Sequence, residues 1–290
     1  MVITSYRAKE YLHRCLDSIR RNPPEVPVTV RVIDNASGDG LADMVTTDFS
    51  EVDFTANHQN RGFAAATNAG IQAGETEFVL ALNPDTRLNP GALDRLIEVM
   101  DEHPEVGICG PVLIRPNGQL DHAASRHFPT PLSSLGHFIN LSRIPGAPKA
   151  LSDYTAATDH SGPVDAVNGA FMLIRRRALE DVGLFDEGFW MYMEDLDLCY
   201  RMRQAGWLTW FESSVSSEHV KGGSTGPYRS LRLNYAFHYG MYRFYRKHYS
   251  AEHSPFVNAA VYAGIVVKLT VSSIRSVAGR LALRTGLKKP

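Results

Sequence analysis

Phe78-Val79-Leu80-Ala81-Leu82-Asn83-Pro84-Asp85-Thr86 is the stretch from which the fold is read. Five apolar residues bounded by a breaker read as a buried strand, and Pro84 ends it so that Asp85 emerges at the strand's carboxyl end. Ligands of open α/β sheets bind at that edge. A carboxylate there can hold a divalent ion that bridges two phosphates and neutralises charge as a diphosphate departs. Taken alone, Asn83-Pro84-Asp85 is equally the sequence of a turn. The surrounding stretches favour the first reading.

Upstream, Val28–Ile33 alternates and then runs apolar like a strand, and it delivers Asp34-Asn35-Ala36-Ser37-Gly38-Asp39-Gly40 into a turn. Asp34 again sits at a strand exit. Its carboxylate could accept the N3–H of a uracil or thymine ring, which adenine and cytosine lack. Helix capping is the alternative, because Ser37 and Asp39 precede the apolar Leu41–Val45 segment. Asn60-Arg61-Gly62-Phe63 then leads into a helix rich in small residues as far as Gly70. Arg61 beside a helix start suits a phosphate, although a solvated surface arginine would look the same.

Downstream, Val167–Ile174, containing Asn168 and Gly169, reads as one buried strand, followed by Arg175-Arg176-Arg177 and a short helix ending at Gly183. The segment Phe185–Arg201 places Phe189, Trp190 and Tyr192 just ahead of Glu194, Asp195 and Asp197. Acids in a first helical turn favour the dipole, which accounts for their position but not for the aromatic wall. A general base needs a partly shielded carboxylate at the floor of a cleft. Asp195 takes that role here, with Glu194 as an acceptor-orienting neighbour.

The chain has 290 residues, 44% of them hydrophobic, and a formal net charge of -1. That is enough for one sizeable domain with additions and does not suggest a nucleic-acid partner. Cys15, Cys109 and Cys199 are widely separated and form no metal-spaced pair, which fits a reducing cytosol. No signal peptide and no apolar run near the ~18 residues needed to span a bilayer is read, so the chain is expected to stay on one side of any membrane. Helices near 9–22, 62–73 and 90–102 alternate with strands up to about Ile114, as in a mostly parallel sheet. From Arg115 to Pro163 the periodicity fails in a long connection that could cover a ligand or be partly disordered. His122, His127 and His137 lie in it and receive no metal role.

The C-terminal part differs. Arg229, Arg232, Arg243 and Arg246 mix with aromatics at helical spacing, and no acidic residue follows Glu252. In the last segment Val267, Val271, Ile274, Ala278 and Leu281 fall on one stripe, with Lys268, Arg275, Arg280, Arg284, Lys288 and Lys289 mostly elsewhere. That suits an interfacial helix drawn to anionic lipid. A helix packed on the preceding domain with a solvated basic side is the alternative.

The ordered set Asp34-Asn35, Asn60-Arg61-Gly62-Phe63, Asn83-Pro84-Asp85, Asn168-Gly169, Glu194-Asp195-Leu196-Asp197-Leu198 and His219 resembles the family 2 glycosyltransferases, inverting enzymes of the GT-A fold. The likeness covers about residues 1 to 225. The stretches Met191–Leu198 and His219–Thr225, with the basic tail, look most like bacterial rhamnosyltransferases that use dTDP-rhamnose.

What the resemblance implies is a GT-A domain over 1–225: a Rossmann-like, mostly parallel α/β sheet flanked by helices. It would comprise a nucleotide-binding half about 1–114, a loop 115–163 and an acceptor half about 164–225, followed by a basic helical extension, 226–290. Asp34 would read the base, with Thr4, Ser5, Tyr6, Asn35, Asn60, Arg61, Gly62, Asn168 and Gly169 lining the nucleotide-sugar. Asp85 and His219 would hold Mg²⁺ or Mn²⁺; a lone histidine on a loop is otherwise simply solvated. Asp195 would be the catalytic base beside Glu194. Trp190, Arg229, Arg232, Arg243 and Arg246 would face a lipid-linked or polysaccharide acceptor or the membrane, the enzyme being cytoplasmic and peripheral at the inner face.

Two departures stand out. The family's metal motif often has two aspartates, and here the first position is Asn83, which supplies no charge and is left to hydrogen bond the ribose or diphosphate. Met1-Val2-Ile3 is short for a first strand, so the start lies upstream or the strand is trimmed. Other donors, such as UDP-galactofuranose, UDP-glucose or UDP-N-acetylglucosamine, and a non-catalytic sugar-nucleotide-binding module remain open. A nucleotidyltransferase lacks its Gly-rich phosphate loop, and an oxidoreductase its G-x-G-x-x-G.

Overall fold

A computed structural model describes residues 1–129, 160–220 and 229–284, with side chains to 282. The chain divides into two compact units. Among the described residues the first comprises 1–128, 160–187 and 194–220, and the second 129, 188–193 and 229–284.

The first unit runs β1 (Val2–Ser5), α1 (Lys9–Arg21), β2 (Arg31–Asp34), α2 (Leu41–Asp48), β3 (Asp53–Ala56), α3 (Phe63–Gln72), β4 (Phe78–Leu82), β5 (Thr86–Arg87), α4 (Ala92–Glu102), β6 (Val106–Ile114) and β7 (Ser125–Arg126). It continues with β8 (Gly162–Val164), β9 (Ala166–Val167), β10 (Phe171–Arg175), α5 (Arg176–Val182), α6 (Glu194–Gln204) and β11 (Leu208–His219). The sheet order is β3-β2-β1-β4-β10-β6-β11-β5, with β8 also on β11. The β3-β2-β1-β4 half is parallel, β6 and β11 are parallel, and β10 lies antiparallel between β4 and β6.

Local composition explains the elements. In α1, Leu12, Cys15, Leu16 and Ile19 recur at helical spacing and are all buried. In α4, Leu93, Leu96, Val99 and Met100 do the same. Helix α3 packs through Ala64, Ala65 and Ala66, and Gly70 lies so close to Val2 that a Cβ would overlap the valine side chain. Small residues there let the helix approach the sheet.

Two strand expectations need correcting. The strand expected over Val28–Ile33 begins only at Arg31, where Met1 O accepts the Arg31 N–H. The single strand expected over Val167–Ile174 is broken: Asn168–Ala170 forms a turn between β9, which pairs with β7, and β10, which pairs with β4. An apolar run hides such a break because alternation ceases in both cases.

In the second unit, α7 (Leu231–His248) and α8 (Pro255–Arg284) pack against each other, and a 3₁₀ turn, Ser250–Glu252, joins them. The expectation that no segment is long and apolar enough to span a bilayer is also corrected. Over Pro255–Ala282, α8 meets both measures, with mean hydropathy 1.5 in its best window and 6% of that window buried.

Candidate active site

The strand directions gather the site at one sheet edge. Parallel β1, β2 and β4 end at Ser5, Asp34 and Leu82, and β10 enters at Phe171 opposite Leu82. Asn83 N–H donates to Ala170 O at 3.0 Å, tying the Asn-Pro-Asp turn to the Asn168–Ala170 turn.

On the nucleotide side Asp34 is buried and accepts from Ser37 N–H at 3.1 Å and from the Ser37 hydroxyl. The capping alternative does not hold for α2: its N-cap is Gly40, with φ 77°, and no side chain caps it. Asn35 fixes the loops, since its Nδ2 donates to Gly62 O at 2.9 Å while its Oδ1 accepts from Arg61 N–H and Asn57 Nδ2. Both amide groups are thereby engaged by protein. Asn60 Oδ1 accepts from Gly62 N–H at 3.0 Å. The Arg61 side chain is exposed and makes no hydrogen bond among the described residues. Thr4 and Thr67 share a buried hydroxyl bond, the Ser5 hydroxyl is buried with no partner among the described residues, and Tyr6 is exposed.

The pairing of β5 with β11 sets Thr86 opposite His219 and so brings residues 134 positions apart (219 minus 85) together. His219 Nε2 lies 3.6 Å from Asp85 Oδ1, and its Nδ1 lies 3.6 Å from Asp121 Oδ2. All three are buried. Arg115 reaches the other Asp121 oxygen at 3.3 Å. Burial opposes a charge on His219, but Asp121 and Asp85 more than offset it and raise its pKa to about 9.

The donor set fits a divalent cation. The Asp85 carboxylate suits Mn²⁺ or Mg²⁺, and the His219 imidazole, a softer ligand, would favour Mn²⁺ of the two; no group of three or more ligands occurs among the described residues. An ion held by two side chains keeps its other positions for phosphate oxygens and water. Asp121 would then steady the far imidazole nitrogen.

Pairing of β7 with β9 sets Arg126 opposite Ala166. Arg126 Nη2 reaches Asp195 Oδ2 at 2.5 Å and Val167 O at 3.1 Å. Gly169 N–H donates to the same Asp195 oxygen at 3.1 Å, and Leu196 N–H to Oδ1 at 2.8 Å. Asn168 is anchored by Ala123 O, and its Oδ1 accepts from Ala170 N–H. Glu194 is buried with Oε2 unpartnered; burial, then the Asp195 charge, pushes its carboxyl up to about 8. The third acid is structural: Asp197 holds Arg201 at 2.8 Å, and Arg201 binds the carbonyls of Val182, Gly183 and Leu184.

Asp121 and Arg126 are the residues that sequence reasoning missed. Both lie in the aperiodic stretch after Ile114, where a two-residue strand leaves no pattern to detect. Of the three histidines there, His127 contacts Asp165 at 3.1 Å, and His137 lies outside the described residues.

The remaining expected residues belong to the second unit. Arg232 stacks over Trp190 at 4.1 Å, Arg229 over Phe237 at 4.2 Å and Tyr192 at 5.0 Å, and Arg243 over Phe189 at 5.3 Å. Arg246 donates to the Tyr242 hydroxyl at 2.9 Å. Arg243 also crowds Gly188, where a Cβ would overlap the guanidinium.

The family model for glycosyl transferase family 2 matches residues 1–183. An N-acetylglucosaminyl-diphospho-decaprenol L-rhamnosyltransferase of Mycobacterium tuberculosis is 31% identical over 238 residues, 78% of this chain and 77% of that protein. Rhamnosyltransferase WbbL of Escherichia coli K12 is 26% identical over 216 residues, 71% and 77% of the two chains. Among solved structures, the mannosyltransferase PcManGT from Pyrobaculum calidifontis, in complex with GDP-Man and Mn²⁺, has a TM-score of 0.57 at 15% identity. It is matched over 98% of this chain and 74% of its own. GalNAc-T7 with UDP, GalNAc and Mn²⁺ has a TM-score of 0.60 at 14% identity, over 84% of this chain and 47% of its own. These likenesses identify the fold as GT-A.

Proposed function

Because the chain belongs to glycosyl transferase family 2, we propose that this glycosyltransferase moves L-rhamnose from dTDP-rhamnose, with inversion, to a hydroxyl of a lipid-linked or polysaccharide acceptor in cell-surface glycan synthesis. One observation carries the reading: Asp85 and His219, distant in sequence, lie 3.6 Å apart in a buried site at the carboxyl edge of the sheet. The two named rhamnosyltransferases support the sugar, and the diphospho-decaprenol in the mycobacterial enzyme's name supports a polyprenyl-linked acceptor.

Asp85 and His219 would hold the divalent ion, which when bound neutralises charge on the departing diphosphate. The Arg61 guanidinium, exposed and without a hydrogen bond among the described residues, supports a further phosphate contact. Asp34, with the unpartnered Ser5 hydroxyl nearby on β1, is the candidate for the thymine contact. The acceptor hydroxyl gives its proton to the Asp195 carboxylate as its oxygen bonds to the anomeric carbon, and the bond from that carbon to dTDP breaks on the opposite face. Arg126 and Gly169 orient that carboxylate through its Oδ2.

A second base assignment has its own support. Glu194 has an unpartnered oxygen and a raised pKa, whereas both Asp195 oxygens accept hydrogen bonds. If Glu194 is the base, kcat/KM climbs until pH reaches about 8, and Glu194→Gln removes that rise.

The extension would meet an anionic leaflet at the cytoplasmic face, placing the enzyme near such an acceptor. Donor hydrolysis, with and without Mn²⁺ or Mg²⁺, across dTDP-rhamnose, UDP-galactofuranose, UDP-glucose and UDP-N-acetylglucosamine tests the reading. Metal-dependent release of dTDP from the first is expected. Release of UDP from another donor replaces the sugar assignment, and nucleotide binding without turnover in the presence of polyprenyl-diphosphate acceptor favours a binding module.

A further inference from the structure

Helix α8 is inverted relative to a helix that meets water. Its outward positions are apolar: Phe256 is 88% exposed, Val266 and Val267 each 61%, Ile274 64% and Leu281 55%. Asn258, Ser272 and Ser276 turn toward α7. Ser276 is 7% exposed and accepts from Asn234 Nδ2 at 2.9 Å, while the Ser272 hydroxyl donates to Asn234 Oδ1 at 2.9 Å. Further along, the Tyr245 hydroxyl donates to Asn258 Oδ1 at 2.6 Å. A helix on a soluble protein faces its apolar stripe inward. Here the protein-facing side carries the hydrogen bonds to α7, while the exposed Thr270 hydroxyl bonds only within its own helix, to Val266 O at 3.0 Å.

From Pro255 to Ile274 the only charge is Lys268, half-buried and close enough to buried His238 on α7 for its charge to oppose protonation. These residues measure about 30 Å as a helix, the thickness of a bilayer's hydrocarbon core. Length alone would therefore permit a span. The packing argues otherwise. Contacts of Tyr245 with Asn258, Tyr242 with Tyr262 and Asn234 with Ser276 run α7 antiparallel along almost the whole apolar stretch. A spanning α8 would draw α7 in with it and bring Arg243 and Arg246, beside the Asn258–Tyr262 stretch, against hydrocarbon, where a charged side chain is costly. On its other side α7 is closed as well, since a Cβ on Gly240 would sit 2.9 Å from Tyr192 O.

We infer that α8 is an in-plane membrane helix: its open apolar face is sunk into one anionic leaflet while its polar face is held by α7. The inference rests on the membrane contact proposed above and specifies how that contact is made. Charge favours lipid over a second copy as the occupant. Arg275, Arg280, Arg284, Lys288 and Lys289 follow the apolar stretch with no acid after Glu252, so anionic headgroups attract this end whereas another copy presents the same cations.

The test uses the full chain and variants Val267→Cys, Ile274→Cys and Lys247→Cys, the native Cys15, Cys109 and Cys199 being buried. Flotation with phosphatidylglycerol-containing vesicles is measured at low and high salt, alongside labelling by a water-soluble maleimide and proteolysis of a C-terminal tag. Expected are flotation that survives high salt, at least tenfold slower labelling at 267 and 274 with vesicles, unchanged labelling at 247, and a tag that stays cleavable. Release by high salt with labelling unaltered overturns insertion while leaving electrostatic membrane contact standing. A protected tag overturns the in-plane placement in favour of a span. Absence of flotation, with labelling at 267 and 274 slowing only as protein concentration rises, shows a second copy on this face and overturns both the inference and the proposed membrane contact.

Discussion

Helices α4 and α8 are both amphipathic, yet they are ordered in opposite senses. In α4 the apolar residues Leu93, Leu96 and Met100 are buried and Asp94, Glu98 and Glu102 belong to the wetter side. In α8 Ser276 is buried while Val266, Val267 and Ile274 stand open. The contrast is what the inferred membrane placement explains: on that inference each residue meets the medium that costs it least. The difference teaches that an amphipathic stripe acquires its direction from the partner it packs on.

The comparison breaks most visibly under one kind of substitution made in both places. Leu96→Asp buries an unpaired charge at a position with 0% exposure and should destabilise by more than about 4 kcal/mol. Val266→Asp should leave the thermal midpoint in detergent nearly unchanged and abolish vesicle flotation. Equal loss of folding in the two variants, by thermal denaturation, would erase the distinction.

Next in size, Asp195→Asn or Glu194→Gln should lower kcat about 100- to 10,000-fold with nucleotide binding intact. The larger loss identifies the base, and the pH profile of the other variant checks it. Asp121→Ala touches neither donor nor acceptor on this reading, and should weaken Mn²⁺ binding about 10- to 100-fold by titration calorimetry.

On the proposed reading, proton and metal compete for His219. Its folded pKa, about 9, lies above its ordinary 6.5, so its contribution to apo stability is complete below pH 6.5 and is lost as pH rises through 9. Mn²⁺ affinity should run the other way, rising across that window; a flat profile removes His219 from the ligand set. The smallest effect is expected in the extension, where Asn234→Ala leaves Ser276 without its partner and should lower hairpin stability by about 1–3 kcal/mol.

Much of the nucleotide half was legible in the chain itself. The runs at Phe78–Leu82 and the spacing in α1 and α4 carry their burial in their periods, and Pro84 marks the place where Asp85 leaves the sheet. The region after Ile114 was not legible. Asp121 reaches His219, and Arg126 reaches Asp195, through a two-residue strand and a turn, elements too short to leave a period.

For α8 the sequence supplied an apolar stripe and a cationic end, and a stripe has no direction: it fits a core as well as a lipid. The sequence by itself determined the strand over Phe78–Leu82 and the buried faces of α1 and α4, because those follow from local period, and it singled out acids, arginines and a histidine as candidates from side-chain chemistry alone. Only the tertiary structure decided that Asp85 meets His219, that Arg126 holds Asp195, and that the stripe on α8 faces outward. Register and helix rotation are fixed by partners far away in the chain, and no local pattern encodes a distant partner.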